Sequence, residues 1–484
     1  MLGDMIPFCI AGNLYFVGEY RASSHMIDTG EGLILLDAGY EETADIIIES
    51  LETLGYSVKD VNYIILSHGH GDHSDGAPKL KALSGAQILM GEEDVKYLKG
   101  FTPDAFLQDG QVISLGNTAI RCVKTPGHTE GTFSFFWDVE ADGKVYCAGM
   151  FGGAGTNQLK KDYMNLRRPD ANIPYIMRGE FFKSVARLRQ EHVDLFVGNH
   201  PWNNNTKENY EKSLTSEENP FIDDTRWGAF LDKAEQNLEE IIRTESRTHF
   251  VNYAHRGASE YLPENTFLAF YTGIYMGANG IETDVHLTKD GIPVLFHDDT
   301  LERVTGEAGA IEDYTYEELQ AFDVKKDGFH DKIVKLEDFL GRFCHQDLHF
   351  AIELKGANAE KQVADLIRKY GLTKDRVMVT SFKIDFIRNI KAYAPELRVG
   401  YLAKEITDEL LEELKSFKAD ELCPRATDVT PESVHRWHRE GFNVRAWGLA
   451  NEDLMRQVYD AGADGMTVNF PDKLTAYIQQ KAEV

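Results

Sequence analysis

Apolar residues along this chain follow two rhythms, and the change falls near residue 250. Up to about residue 200 the apolar runs are short and broken by glycine-containing turns: NLYFVG, HMID, GLILLDAG, NYIIL, QILMG, FSFFWDV, KVYCAG and DLFVG. Short runs of Ile, Val, Phe and Tyr bounded by Gly, Asn and Asp predict strands. Thr29-Gly30-Glu31-Gly32, between HMID and GLILLDAG, predicts a hairpin turn, and the opening MLGDMIPFCIAGNLYF a first strand. Between residues 220 and 245 the period lengthens. Trp227, Phe230, Leu231, Ala234, Leu238, Ile241 and Ile242 recur at spacings of three and four, which predicts an amphipathic helix. That helix is expected to close a first domain, with residues 244–248 as the connection.

From residue 250 strands alternate with helices. FVNYA, GIETDVHL, HFAIEL, RVMVTS, RVGYLA, DELCP, NVRAW and GMTVN are the predicted strands; helical patterns fill the intervals, and residues 471–481 supply a last helix. Eight such units in about 230 residues predict a (β/α)8 barrel. One interval is longer, with VTGEAGAIEDYTYEELQAF inserted after PVLF and before the third strand. The chain is therefore read as two domains, 1–246 and 247–484, as its length of 484 residues also favours.

Composition narrows the function. A hydrophobic content of 42% with 27% charged residues is that of a globular protein. No stretch approaches the roughly 18 apolar residues of a spanning helix, so no membrane insertion is expected. The N-terminus carries Asp4 and no basic start before its short apolar run, a poor signal peptide, so a cytoplasmic protein is expected. Lys and Arg number 51 against 79 Asp and Glu, a net charge of −28. Such a surface repels nucleic acid and anionic membrane. Any phosphate chemistry here must rest on local metal ions and a few placed cations, and long polyanions are disfavoured as substrates against small molecules. Cys9, Cys122, Cys147, Cys344 and Cys423 are scattered and odd in number, which predicts reduced thiols.

Ser67-His68-Gly69-His70-Gly71-Asp72-His73 follows directly on NYIIL. Three imidazoles and a carboxylate on one tight turn at a strand end point to a bound cation. Thr125-Pro126-Gly127-His128-Thr129 and Val197-Gly198-Asn199-His200-Pro201 follow two further strands. With these motifs in this order, residues 1 to about 246 resemble the metallo-β-lactamase fold, an αββα sandwich. The resemblance implies one zinc on His68, His70 and His128 and a second on Asp72, His73 and His200, with Asp72 also catalytic. Imidazole and carboxylate ligands suit catalytic zinc, which makes a nucleophile of water near neutral pH. One position departs from the pattern. Where most dinuclear relatives place a bridging Asp after the strand reading VYCAGM, this chain has Met150, and a neutral thioether is a poor zinc ligand. NHPWNNNTKENY and NPFIDDTRWGAFLDKA resemble the third subclass of metallo-β-lactamases, in which that position does not ligate, so two zincs are expected; the alternative is one working zinc.

In the second half, His255-Arg256-Gly257 follows FVNYA, and Pro263-Glu264-Asn265-Thr266 opens the next helix. Glu282 and Asp284, two apart on a strand, share a face, as do Glu353 and Lys355 on AIELK. His297 and Asp298 follow PVLF. All are expected at strand C-terminal ends, where barrel enzymes keep their chemistry. HRGASEYLPENT, GIETDVHLTKDGIPVLFHDDTLERVTG, IELK, VRAWGLAN and GADGMTVNFPDKL resemble the glycerophosphodiester phosphodiesterase family across nearly all of residues 250–482. The resemblance implies Mg²⁺ or Ca²⁺ on Glu282, Asp284 and Glu353, since hard oxygen ligands fit such cations. It also implies His255 and His297 as general acid and base, Arg256 and Lys355 as phosphate ligands, and Trp447 as a wall of the pocket for the glycerol or alcohol portion. Glu264 and Asn265 would orient the groups that bind. The expected protein is a bifunctional metal-dependent hydrolase: a glycerophosphodiester phosphodiesterase preceded by a zinc hydrolase whose substrate stays open. The alternative makes the first domain a non-catalytic binding or scaffolding module. The G-x-G at Gly153 and Gly155 has no nucleotide-binding context and is given no role.

Overall fold

The computed structural model describes residues 5–164, 174–372 and 374–482. The chain forms two compact units that part within the helix Thr225–Thr248, between Glu240 and Ile241, with Pro174–Ile176 counted in the second. Residues 244–248, expected as a connection, are instead the last turns of that helix. Nothing from Ala229 to Thr248 is Gly or Pro, so no local signal stops it.

The first unit holds two sheets. One runs Phe8–Ala11, Leu14–Phe16, His25–Asp28, Leu33–Leu36, Val61–Ile65, Gln87–Met90, Ala105–Phe106; the other runs Leu195–Gly198, Lys144–Phe151, Phe133–Ala141, Thr118–Lys124, Val112–Leu115. The strand alternation sorts the layers. On Leu33–Leu36, Ile34 and Leu36 join Phe135, Trp137, Met150 and Val197 in an apolar core shared by both sheets. Leu33 and Leu35 face the other way, onto Ala44, Ile47 and Leu51 of the helix Ala44–Thr53 and onto Leu80 of Ala77–Ser84. Against the second sheet, Trp227 packs edge-on to Phe136 and Phe196, and Phe181 of the helix Ile176–Leu188 lies 6.0 Å from Phe151. Helix, sheet, sheet, helix is the expected αββα order. The predicted hairpin is present in register, His25 opposite Leu36 and Asp28 opposite Leu33, with Gly30 and Gly32 at positive φ.

The second unit is a closed barrel of eight parallel strands: Val251–His255, Gly280–Leu287, His349–Leu354, Val377–Ser381, Arg398–Leu402, Glu421–Cys423, Asn443–Ala446 and Gly465–Val468. The first strand closes it by pairing with both the second and the last. Inside the barrel Arg445, 1% exposed, is ion-paired to Glu421 at 2.8 Å beneath the ring of Tyr253. The long interval also contains a hairpin, Asp323–Lys326 with Phe329–Lys332, that the sequence pattern does not mark. Its strands read DVKK and FHDK, too polar to show a buried face. Among the described residues no helix is long and apolar enough to cross a membrane.

Candidate metal centres

In the first unit the turn after Val61–Ile65 aims its imidazoles inward. Nε2 of His68 lies 3.2 Å from Nε2 of His128, which lies 3.1 Å from Nδ1 of His70. Three ring nitrogens facing one another this closely cannot all be protonated, and a cation is what such a trio accommodates. Burial, then the neighbouring imidazoles, hold His68 far below an ordinary histidine, and burial pulls His128 to about 3, so both rings are neutral as ligation requires. Beside them Nε2 of His73 faces Nε2 of His200 at 3.3 Å and Oδ2 of Asp72 at 3.3 Å. The six residues named from the sequence thus meet as two groups.

The groups that orient them escape a sequence reading. Asp37, at φ 60° just past Leu33–Leu36, accepts from Nδ1 of His73 at 2.8 Å and from the Ser67 backbone N–H and hydroxyl at 2.7 and 2.8 Å. Burial lowers His73, but Asp37 and Asp72 outweigh it and hold the ring at about 10. Asp94 ties the turn to the TPGHT loop, accepting from Gly69 N–H, the Thr129 hydroxyl and Gly131 N–H at 2.6–2.9 Å. The G-x-G also has a place: Nδ1 of His128 donates to the carbonyl of Gly155 at 2.7 Å, and a Cβ on Gly153 would stand 2.7 Å from that of His128. The cleft over these histidines encloses about 830 Å³ and is walled by Tyr40, Trp202, Phe230 and Lys233 among others. Trp202 stacks on the His200 ring at 4.3 Å.

In the barrel, strand register assembles the second site. His255 pairs with Glu282 across one ladder and Asp284 with Glu353 across the next, so all four side chains turn to one face. Glu282 and Asp284 lie within the strand Gly280–Leu287 rather than at its end, because that strand runs on to pair with Pro293–Leu295. One carboxylate oxygen from each of Glu282, Asp284 and Glu353 lies within 4.8 Å of the others, all buried. Lys355 Nζ is 2.8 Å from Glu353 and 3.6 Å from Asp284, and Arg256 Nε is 3.3 Å from Asp284. Oδ1 of Asp284 has no hydrogen-bond partner among the described residues. Burial and then Asp284 push Glu353 up to about 7, while burial of Asp284 is overcome by Arg256 and Lys355, which hold it below the usual carboxylate range.

Residues 255–473 match the family model described as Glycerophosphoryl diester phosphodiesterase family. A glycerophosphodiester phosphodiesterase of Caldanaerobacter subterraneus subsp. tengcongensis is 31% identical over 238 residues, 47% of this chain and 97% of that protein. One from Bacillus altitudinis is 31% identical over 234 residues, 46% of this chain and 95% of its own length. The C-terminal half belongs to the glycerophosphodiester phosphodiesterase family. Residues 17–141 match the Metallo-beta-lactamase superfamily, so a metallo-β-lactamase domain precedes it. The FEZ-1 metallo-β-lactamase of Legionella gormanii is 28% identical, with a TM-score of 0.47 over 50% of this chain and 98% of that one.

In the phosphodiesterase half both histidines are anchored through Nδ1: His255 to Oδ1 of Asn469 at 2.5 Å and His297 to Asp298 at 2.6 Å. Burial, followed by Arg256, takes His255 down to about 4. Arg256, at φ 55°, directs Nη1 to Glu264 at 2.9 Å, and Asn265 donates to Asp284 at 3.0 Å. Arg303 has no role legible in the sequence. It donates to Glu264 and to Asp298 and so joins the partner of Arg256 to the partner of His297. Trp447 is fixed by its indole N–H, which donates to the Cys423 carbonyl at 3.0 Å.

In the metallo-β-lactamase half Met150 is fully buried in the core between the sheets. Met150→Ala is expected to cost about 2–5 kcal/mol of stability through the cavity left, with metal content unchanged. Denaturant unfolding and metal analysis check this; loss of metal at unchanged circular dichroism would show that the sulfur ligates.

Proposed function

We propose that the C-terminal half hydrolyses glycerophosphodiesters to glycerol 3-phosphate and an alcohol, with Mg²⁺ or Ca²⁺ held by Glu282, Asp284 and Glu353. The observation that carries this is the trio of buried carboxylates, with an oxygen on Asp284 that has no hydrogen-bond partner among the described residues. Oxygen-only donors of this kind fit a hard cation. Such a cation supplies charge neutralisation and polarisation of a phosphoryl oxygen. Arg256 and Lys355 bind the remaining phosphate oxygens, the guanidinium able to do so in a bidentate way. With Nδ1 of His255 donating to Asn469, its Nε2 is left as an acceptor. Asp298 likewise fixes the His297 ring through Nδ1, while burial holds that imidazole below its ordinary range. One imidazole takes the proton of the attacking oxygen and the other gives one to the departing alkoxide. Trp447 lines the alcohol side. Release of glycerol 3-phosphate with the cation supplied and withheld is the test.

Cation binding should depend on pH. Burial and then Asp284 push Glu353 up to about 7, the same causes raise Glu282 well above the usual carboxylate range, and only ionised carboxylates ligate. Affinity for Mg²⁺ or Ca²⁺ is expected to rise as pH increases through 7, falling by about tenfold or more per pH unit below it. Calorimetric titrations at pH 6 and pH 8 check this; equal affinities would contradict it.

We infer that the N-terminal half is a zinc hydrolase, with one ion on His68, His70 and His128 and a second on Asp72, His73 and His200. Its support is the convergence of ring nitrogens, with His68 and His128 neutral, beside the carboxylate of Asp72. Zinc in such a site supplies Lewis acidity and a nucleophile at neutral pH. Asp37, through His73, and Gly155, through His128, set which nitrogen each ring presents. Zinc analysis of the whole chain should return about two ions, whereas a scaffolding module predicts none.

A further inference from the structure

The mouth of the barrel has two unlike flanks. On one, Glu264, Asp298 and Arg303 close upon one another in ion pairs. The other spans five adjacent strands and carries cations beside aromatic rings. Lys355 follows the strand His349–Leu354, Phe382 and Lys383 follow Val377–Ser381, Lys404 follows Arg398–Leu402, Arg425 follows Glu421–Cys423, and Trp447 follows Asn443–Ala446. They form one continuous group. Lys355 and Lys404 stand over the Phe382 ring at 5.8 and 5.5 Å, Phe382 meets Trp447 edge-on at 4.9 Å, and Arg425 stands over Trp447 at 5.7 Å. Lys383 Nζ lies 3.4 Å from the Lys355 carbonyl. Lys383, Lys404 and Arg425 are exposed, and among the described residues none of them makes an ion pair with a carboxylate.

In a chain of net charge −28 this is an uncommon place for three cations without acidic partners. Aromatic rings at a phosphodiester site could in principle cage a quaternary ammonium through their faces. Here the protein's own cations already lie over those faces, so a second cation would meet repulsion. An anion would meet Lys404 and Arg425 with the two rings as its apolar floor. The flank is open to solvent, which suits the variable arm of the diester.

Resting on the phosphodiesterase reading, we propose that this flank is the alcohol subsite and that it selects alcohols carrying their own negative charge over cationic ones such as choline. Three esters test it at low ionic strength: glycerophosphocholine, glycerophosphoglycerol, and bis(glycerophospho)glycerol, which bears a second phosphodiester. The expected kcat/KM favours the doubly anionic ester over the choline ester by roughly tenfold, the worth of a few exposed charge contacts. The ratio should shrink at 0.5 M salt, where the screening length falls to a few ångströms. The double variant Lys404→Ala, Arg425→Ala should collapse the ratio, mainly through KM, and Lys404→Glu, Arg425→Glu should invert it. A choline ester cleaved as well as the anionic one, or a ratio untouched by charge reversal, overturns the inference alone. Failure to cleave any of the three overturns the phosphodiesterase reading together with it.

Discussion

Alanine at His255 or at His297 is expected to slow glycerophosphodiester turnover by roughly 10²–10⁴-fold, the usual worth of a placed acid or base. The loss should fall on kcat. Neither ring belongs to the three-carboxylate group, and phosphate contacts are assigned to Arg256 and Lys355. Both side chains are about 30% exposed, so truncation removes little packing and the fold should persist. Each ring is held through Nδ1 by a neighbour, Asn469 or Asp298, which leaves Nε2 as the nitrogen available for proton transfer in both cases. Steady-state kinetics on the two variants, with circular dichroism beside them, read the effect. Turnover unchanged in both would remove the assignment.

The second large effect is expected from Asp72→Ala. Asp72 Oδ2 lies 3.3 Å from Nε2 of His73 and 3.8 Å from Nε2 of His200, and it is the one carboxylate among the six residues assigned to zinc. Without it the second group offers two neutral imidazoles at most. The variant should lose the second zinc and nearly all hydrolysis by the N-terminal half, since changing even an outer partner of a metal ligand typically costs roughly 10–100-fold. Glycerophosphodiester hydrolysis should stay near its starting rate, since the two ligand sets share no residue. Zinc content and glycerol 3-phosphate release, measured on one preparation, separate the cases. Loss of both activities in a folded variant would mean that the two sites are not independent.

Much of this molecule is legible in its sequence because local pattern and tertiary need agree. The alternation of Leu33–Leu36 assigns each side chain to a layer, and the eight-fold strand–helix rhythm after residue 250 predicts the barrel. The ligand groups are legible because several chemically unusual residues crowd single turns or strands. What escapes is single residues whose meaning comes from distant partners. Asp37 and Asp94 are lone acids until the fold brings Ser67, Gly69, His73 and Thr129 to them. Asn469 is one amide among many until it meets His255. Arg303 lies in a motif that points to the family, but its role as a link between Glu264 and Asp298 exists only in three dimensions. The polar hairpin Asp323–Lys332 and the uninterrupted helix past residue 244 leave no periodic or punctuating signal to read.

Glu282, Asp284 and Glu353, if they serve a divalent cation in the cleavage of glycerophosphodiesters, make that cleavage depend on the cation. Product analysis on the purified whole chain, supplied in turn with Mg²⁺, Ca²⁺ and a chelator, reads this dependence. Glycerol 3-phosphate and the free alcohol should appear in equal amounts with at least one of the two cations, and neither should appear after chelation or in Glu282→Gln. Release that persists undiminished in chelator, or no release with either cation, would rule out a cation-dependent phosphodiesterase at this site.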